Sequence, residues 1–204
     1  YGKNHISIAN GYQNLSHYHL MLFNPDEAIK YANKALEIYK FNYGTTNHIN
    51  ISSVYSNLGH AYANGYQDYD KSISYHEKAL NIGFNTLPSD HNELLTLYGN
   101  LASVYESNES YKNQLAILNE GYSVFKERLN RTHINSEKNL NNEMDLGYDF
   151  VTEYIHSITR YLYKNQNVLL QDEIMRLSNE AFMAHQLAND SKAARAIALS
   201  SSRF

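Results

Sequence analysis

Ten histidines are the side chains of this sequence best suited to hold a metal or move a proton, and their spacing decides what they can do. His17 and His19 stand two apart, which on a helix turns them about 200° from each other. Two helical ligands of one ion need a spacing of three or four. His5, His48 and His91 recur every 43 residues, and His133 follows 42 later, so they mark equivalent points of successive units and do not converge. The expectation is no metal and no cofactor, with His76 and His156 packed on inward faces. Motifs for catalysis are missing too: there is no glycine-rich phosphate loop, no Gly-x-Ser-x-Gly elbow, no His-Glu-x-x-His and no cysteine nucleophile. Glu77, Glu120 and Glu127 fall on outer helical faces at the spacing of solvated charge. No catalytic residue is expected, because an enzyme would need a cluster of perturbed titratable groups and the sequence offers none.

A polar residue does recur in register. Nine residues after each of the first three spaced histidines comes an Asn-Leu-small triplet: Asn14-Leu15-Ser16, Asn57-Leu58-Gly59 and Asn100-Leu101-Ala102. The elements that must position these residues are helices. Ile51, Val54, Tyr55, Leu58, Ala61 and Tyr62 repeat at the period of one helical face, as do Tyr69, Ser72, Ile73, His76, Ala79 and Leu80, with an Asn64-Gly65 turn between. Neither helix of such a pair can bury its stripe against so small a partner, so the pattern requires stacked copies. Ala28-Ile29-Lys30-Tyr31 and Lys34-Ala35-Leu36 align with Ser72-Ile73-Ser74-Tyr75 and Lys78-Ala79-Leu80. The third copy keeps Leu115, Leu118, Tyr122 and Phe125 but has Gln114 and Gly121 at the small positions, a looser match. Ser16, Gly59 and Ala102 are expected where paired helices pass closest, and Leu58 and Leu101 in the core.

Along the chain, a helix is expected over 4–22. Asn24 is placed to cap a second, with Pro25 at its first position, Glu27 reaching back in a capping box, and Gly44 as a left-handed stop. The second hairpin occupies 48–64 and 69–84; its turn carries one residue more than the first, which predicts a local bulge. The third occupies about 92–107 and 110–129. Three hairpins thus fill 4–129, a polar loop 130–142 follows, and divergent helical repeats continue over 143–204. In that last part Leu146, Phe150, Tyr154, Ile158, Tyr161 and Leu162 predict a helix over about 143–164. Leu170, Ile174, Leu177, Ala181 and Ala184 predict another over 168–188, with Asp190 or Ser191 capping a final one.

Leu58-Gly59 with Tyr62, then Asp68-Tyr69-Asp70-Lys71-Ser72-Ile73 and Lys78-Ala79-Leu80, resembles the tetratricopeptide repeat. The period of about 42, with a histidine leading each first helix, resembles its longer form in kinesin light chains and many bacterial regulatory proteins. The resemblance implies an all-α fold, an α-solenoid in which antiparallel hairpins stack into a right-handed superhelix. It also implies that the first helix of each pair lines a concave face. Carrying the register across, Asn10, Gln13, Asn14 and His17 look into that groove from the first repeat. Ser53, Ser56, Asn57 and His60 do so from the second, and Thr96, Gly99, Asn100 and Ser103 from the third. A ladder of Asn14, Asn57 and Asn100 could pair with the main chain of an extended peptide, since each amide offers donor and acceptor. Such bonds are worth only about 0.5–1.5 kcal/mol net, against about 8 kcal/mol for micromolar binding, so the ladder orients a ligand and apolar contacts must hold it. The competing assignment has these asparagines capping the hairpin or facing solvent. Capture of a C-terminal carboxylate is not expected, because the groove positions carry no Lys or Arg.

With 204 residues, net charge -4 and pI near 6.2, the chain lacks the basic stripe that nucleic acid requires. No apolar run is long enough to span a bilayer, and the first residues are not a signal sequence. The absence of cysteine fits a reducing, cytoplasmic location. The start at Tyr1 suggests a piece of a larger protein. Two functions follow as expectations: a non-catalytic scaffold that binds a protein or peptide in a concave polar groove, or a regulatory or oligomerising arm of a larger bacterial signalling protein. In the latter the effector, a peptidase, kinase or transcription regulator, lies outside this chain, and self-association would run through the C-terminal helices.

Overall fold

The computed structural model describes residues 4–132 and 140–201, with side chains over 4–129 and 147–189. Every described element is helical: α1 (Ile6–Met21), α2 (Pro25–Tyr43), α3 (Ile49–Ala61), a π-helical turn (Tyr62–Tyr66), α4 (Tyr69–Thr86), α5 (Asn92–Ser107), α6 (Tyr111–Thr132), α7 (Leu140–Asn165) and α8 (Gln171–Ser201). Two compact units divide the chain, residues 1–89 with 96–109 and residues 90–95 with 110–204.

The spaced histidines explain where the first helices begin. His5, His48 and His91 each stand just before a helix, and Nδ1 of each ring accepts the backbone N–H two residues on, from Ser7, Asn50 and Glu93 at 3.2, 3.2 and 3.1 Å. This is the N-cap function usually given to Ser, Thr, Asn or Asp, here performed by an imidazole whose proton must sit on the other nitrogen. His48 also stacks on Tyr43, with ring centroids 3.6 Å apart. Replacing His48 by Ala is expected to cost about 0.5–2 kcal/mol, and His48→Asn to recover the capping share of that loss; urea unfolding of the two variants measures the difference.

Helix α2 begins as expected, and α4 carries a cap at Asp68 that was not expected from the sequence. Asn24 Oδ1 accepts from Glu27 N–H and Asp68 Oδ1 from Lys71 N–H, Pro25 occupies the first helical position, and Gly44 closes α2 in the left-handed conformation at φ 62°. The reciprocal half of the capping box is not formed. The Glu27 carboxylate instead receives Lys30 Nζ at 2.8 Å, because a full positive charge one turn on is a stronger donor than the cap amide. The additional residue in the second hairpin is absorbed by the π-helical turn, which widens one turn by one residue, and Gln67 then leaves it with φ 54°.

In the first unit α1 packs on α2, α2 on α3, and α3 on α4. A continuous core joins Ala9 of α1, Ala32, Ala35, Ile38 and Tyr39 of α2, Ile51, Val54 and Leu58 of α3, and Ile82 of α4. Leu58 and Leu101 are buried as expected. The close-approach positions Ser16, Gly59 and Ala102 are buried too, and a Cβ built on Gly59 would lie 2.5 Å from Nε2 of His76. Gly65, in the π turn, lies against the ring of Pro25, and the neighbouring Tyr66 hydroxyl donates to Asp26, so the two hairpin tips are tied together.

In the second unit α6 packs on α7 and α7 on α8, around Leu118, Tyr122, Phe125, Phe150, Val151, Tyr154, Ile158, Leu177 and Ala184. Gln114, at the position where the other hairpins carry a small residue, is fully buried and satisfied: its Nε2 donates to Glu153 and its Oε1 accepts from Arg160, both at 3.2 Å. Helix α6 reaches Thr132 and α7 starts at Leu140, so helices take the ends of the stretch expected as a loop over 130–142. Residues 133–139, His133 among them, lie outside the described residues.

Two expectations for the C-terminal part are corrected. Helix α8 runs through Asp190 and Ser191 without a break, because 171–201 contains no Gly or Pro to stop it, and Leu170 precedes that helix and is exposed. His156 is exposed rather than inward. It stands two residues from both Tyr154 and Ile158, which are buried, and so falls on the opposite side of α7.

Candidate functional site

All the groove positions named from the sequence lie in the first unit, on α1, α3 and α5. Their exposure varies. Asn10, Asn14, His17 and Ser103 are exposed, Gln13, Ser53, Asn57, His60, Thr96, Gly99 and Asn100 are half-buried, and Ser56 is buried. Two groups of them are joined by hydrogen bonds.

The first group is organised by Tyr39, which the sequence places only as a core residue of α2. Its ring is buried, stacked on Tyr43, and its hydroxyl is shared between Asn10 Oδ1 at 2.7 Å and Gln13 Oε1 at 2.8 Å. Burial pushes that hydroxyl up to about 12, so at neutral pH it stays a donor. Asn57 then reaches from α3 to α1, its Nδ2 donating to the carbonyl of Gln13 at 3.3 Å. One asparagine of the ladder is therefore a stitch between successive first helices, while Asn14 presents its amide to solvent.

The second group is built on His60. Its ring meets the edge of His76, with centroids 4.8 Å apart, and its side chain is hydrogen-bonded to Asn100. Burial lowers the pKa of His60 and the neighbouring imidazole of His17 lowers it further, while the bond to Asn100 works the other way. Beneath it His76 is buried with neither ring nitrogen hydrogen-bonded. The loss of water, with a smaller contribution from His60, drops its pKa to about 3, so the ring is a neutral core residue. Of the two serines on α3, Ser53 Oγ turns back to the Ile49 carbonyl at 3.3 Å, and the buried Ser56 hydroxyl has no partner.

Neutral amides and imidazoles thus line these helices, and no formal charge stands at any of the named positions. Such a surface can exchange hydrogen bonds with an uncharged main chain but has no group to anchor a carboxylate or a phosphate. Among the described residues no group of three His, Cys, Asp or Glu is arranged to hold a metal ion. No described helix is long and apolar enough to cross a membrane.

A cleft that the sequence did not suggest lies in the second unit. About 210 Å³ in volume, it is lined by residues of α6, α7 and α8 that include Lys112, Asn119, Tyr154, Glu173, Arg176 and Glu180. The buried Tyr154 hydroxyl donates to Glu180, which also accepts from Arg176 at 3.1 Å; burial and Glu180 together push the phenol pKa up. Three helices distant in sequence make this cleft, and no local pattern announces it.

Residues 9–42, the first hairpin, match the tetratricopeptide repeat family. No curated protein resembles the chain in sequence. Among solved structures it is similar to a Podosopora anserina protein assigned as a kinesin light chain with nearly identical TPR-like repeats, at 14% identity and TM-score 0.56, over 98% of this chain and 99% of that one. A single-substitution form of the same protein gives 16% identity and TM-score 0.55 over the same shares. BtubC (BKLC) from P. vanneervenii gives 15% identity and TM-score 0.63, over 89% of this chain and 64% of that one. The shared architecture is the α-solenoid of helix hairpins.

Proposed function

We propose that this chain, whose first hairpin matches the tetratricopeptide repeat and whose fold is similar to kinesin-light-chain-like repeat structures, is a non-catalytic scaffold that takes a peptide segment of a partner protein along α1, α3 and α5. The observation that carries this reading is that the amides of this face are held but not used up. Asn57 spends one N–H on the Gln13 carbonyl and keeps its second N–H and its oxygen; Asn10 and Gln13 are oriented through Tyr39 and keep their amide hydrogens. Amides already fixed in place pay less ordering entropy when a ligand main chain meets them.

Uncharged lining selects the ligand. A peptide stretch without Asp, Glu, Lys or Arg where it crosses Asn14, Asn57 and Asn100 loses no ionic hydration on entering.

Changing Asn14, Asn57 and Asn100 together to Ala tests the reading by affinity capture from native lysate, run beside the unchanged chain. The expected result is a partner captured by the unchanged protein and lost from the variant. The variant should melt only several degrees lower, since the two hydrogen bonds it breaks, Asn57 to Gln13 and Asn100 to His60, are worth about 0.5–1.5 kcal/mol each. A partner retained equally by both would overturn the groove as the binding surface.

A further inference from the structure

In the first two hairpins one tyrosine ring of the second helix lies against two rings of the first. Tyr31 of α2 packs on Tyr12 and His19 of α1, with ring centroids 5.8 and 5.3 Å apart. Tyr75 of α4 packs on Tyr55 of α3 and on Tyr62, which opens the π-helical turn, at 5.9 and 5.5 Å. The two lower rings stand seven residues apart in both hairpins, about two turns along one helical face. The upper ring stands seven residues past the one whose carbonyl closes the first turn of its helix, Asn24 in α2 and Asp68 in α4.

The last hairpin keeps the lower pair and lacks the upper ring. Tyr154 and Tyr161 are again seven residues apart on α7, and the Leu170 carbonyl closes the first turn of α8. Seven residues past Leu170 comes not a tyrosine but Leu177, 2% exposed. Tyr154, Tyr161 and Leu177 all line the cleft of about 210 Å³ in the second unit, and a cavity of about 150 Å³ is enough for benzene. The cleft therefore lies where the missing ring would stand, between walls and a floor that this chain itself supplies. Its lining suits a ring. Lys112 and Arg176 are matched by Glu173 and Glu180, so no net charge draws an ion, and Leu115, Ala116 and Leu177 offer apolar contact. Cations beside the cleft favour the face of an incoming ring, as Lys71 and Lys78 do in the second hairpin, each 5.0 Å from the centroid of Tyr62 or Tyr75.

We infer that the cleft between α6, α7 and α8 docks one aromatic side chain of a partner protein, whose ring takes the place that Tyr75 fills in the second hairpin. One stacked ring is a weak anchor by itself, so it arrives on a chain that makes further contacts, as aromatic anchors do at protein interfaces. None of the groove positions on α1, α3 and α5 lines this cleft, so the inference stands independently of the peptide groove.

Titration of the full chain with N-acetyl-tyrosinamide, a neutral stand-in for a tyrosine within a peptide, tests it by amide chemical shifts in NMR. Saturable shifts are expected at Leu115, Asn119, Tyr161 and Leu177, with a Kd on the order of 1 mM. N-acetyl-leucinamide should bind about fivefold more weakly, because it lacks the ring-on-ring contact. Ala116→Phe, at an exposed position on the α6 wall, should fill the cleft from within and weaken the probe at least about tenfold while the chain keeps its helical circular dichroism. Leu177→Tyr restores the residue of the second hairpin and should close the cleft in the same way. The parent titration does not depend on how either variant folds. No saturable shift in the parent, or shifts confined to the first unit, overturns the proposal, as does equal affinity for the leucine probe. A folded Ala116→Phe variant that binds as the parent does overturns it too. Free tyrosine binding at least about tenfold more tightly than the capped form would overturn the partner protein as the source of the ring.

Discussion

Lowering the pH from 7 to 4.5 should remove about 3 kcal/mol of folding stability through His76 alone, and His76→Leu should abolish that part of the loss. The imidazole titrates near 6.5 when free and near 3 in the fold, so between those values the unfolded chain binds a proton that the folded chain refuses. Stability from this group is complete above pH 6.5 and falls as the pH drops towards 3, at about 1.4 kcal/mol per pH unit. Carboxylates contribute little above pH 4.5, which isolates the histidine. Burial also lowers the pKa of His60, so its share has the same sign and remains in the variant. Leucine is the replacement of choice because the third hairpin carries Leu118 at the equivalent position, fully buried. Urea unfolding of both proteins at pH 7, 5.5 and 4.5 reads the effect. Parallel lines for variant and parent would show that His76 is not the acid-sensitive group.

Gly59→Ala is expected to destabilise the protein by about 1–3 kcal/mol, the usual cost of adding a methyl to a filled contact. The added Cβ would stand 2.5 Å from Nε2 and 2.6 Å from Cδ2 of His76, and the ring has no free space behind it because it is 1% exposed. In register with Gly59 and His76 stand Ser16 and Ala32 in the first hairpin and Ala102 and Leu118 in the third. The double variant Gly59→Ala/His76→Leu reproduces the third pair, so it should recover most of what Gly59→Ala loses. The double-mutant cycle should show a coupling of about 1 kcal/mol or more, as for residues in direct contact. Additive losses would mean that the two side chains do not share the space.

Much of this architecture was legible from local pattern. The helix period, the 43-residue spacing, the caps at Asn24 and Gly44, the buried Leu58 and Leu101 and the small residues at 16, 59 and 102 all rest on interactions within one hairpin or on a register repeated in three. The extra residue in the second turn could be counted, although its π-helical form could not. The divergent C-terminal part was less legible: without a Gly or Pro to punctuate 171–201, a cap residue at Asp190 looks the same whether the helix starts there or runs through.

For the candidate site the division falls elsewhere. The sequence by itself determined which residue types stand on the first helices, that they are neutral amides, imidazoles and hydroxyls, and that they recur in register. Only the tertiary structure decided that Tyr39 holds Asn10 and Gln13, that Asn57 stitches α3 to α1 while Asn14 is exposed, and that the leading histidines cap helices. It alone decided that His76 lies dry against Gly59. Apart from the histidine caps, which bond two residues on, these contacts join positions 17 to 44 residues apart through side-chain directions and hydrogen bonds, whereas periodicity specifies only which face of a helix a residue shares.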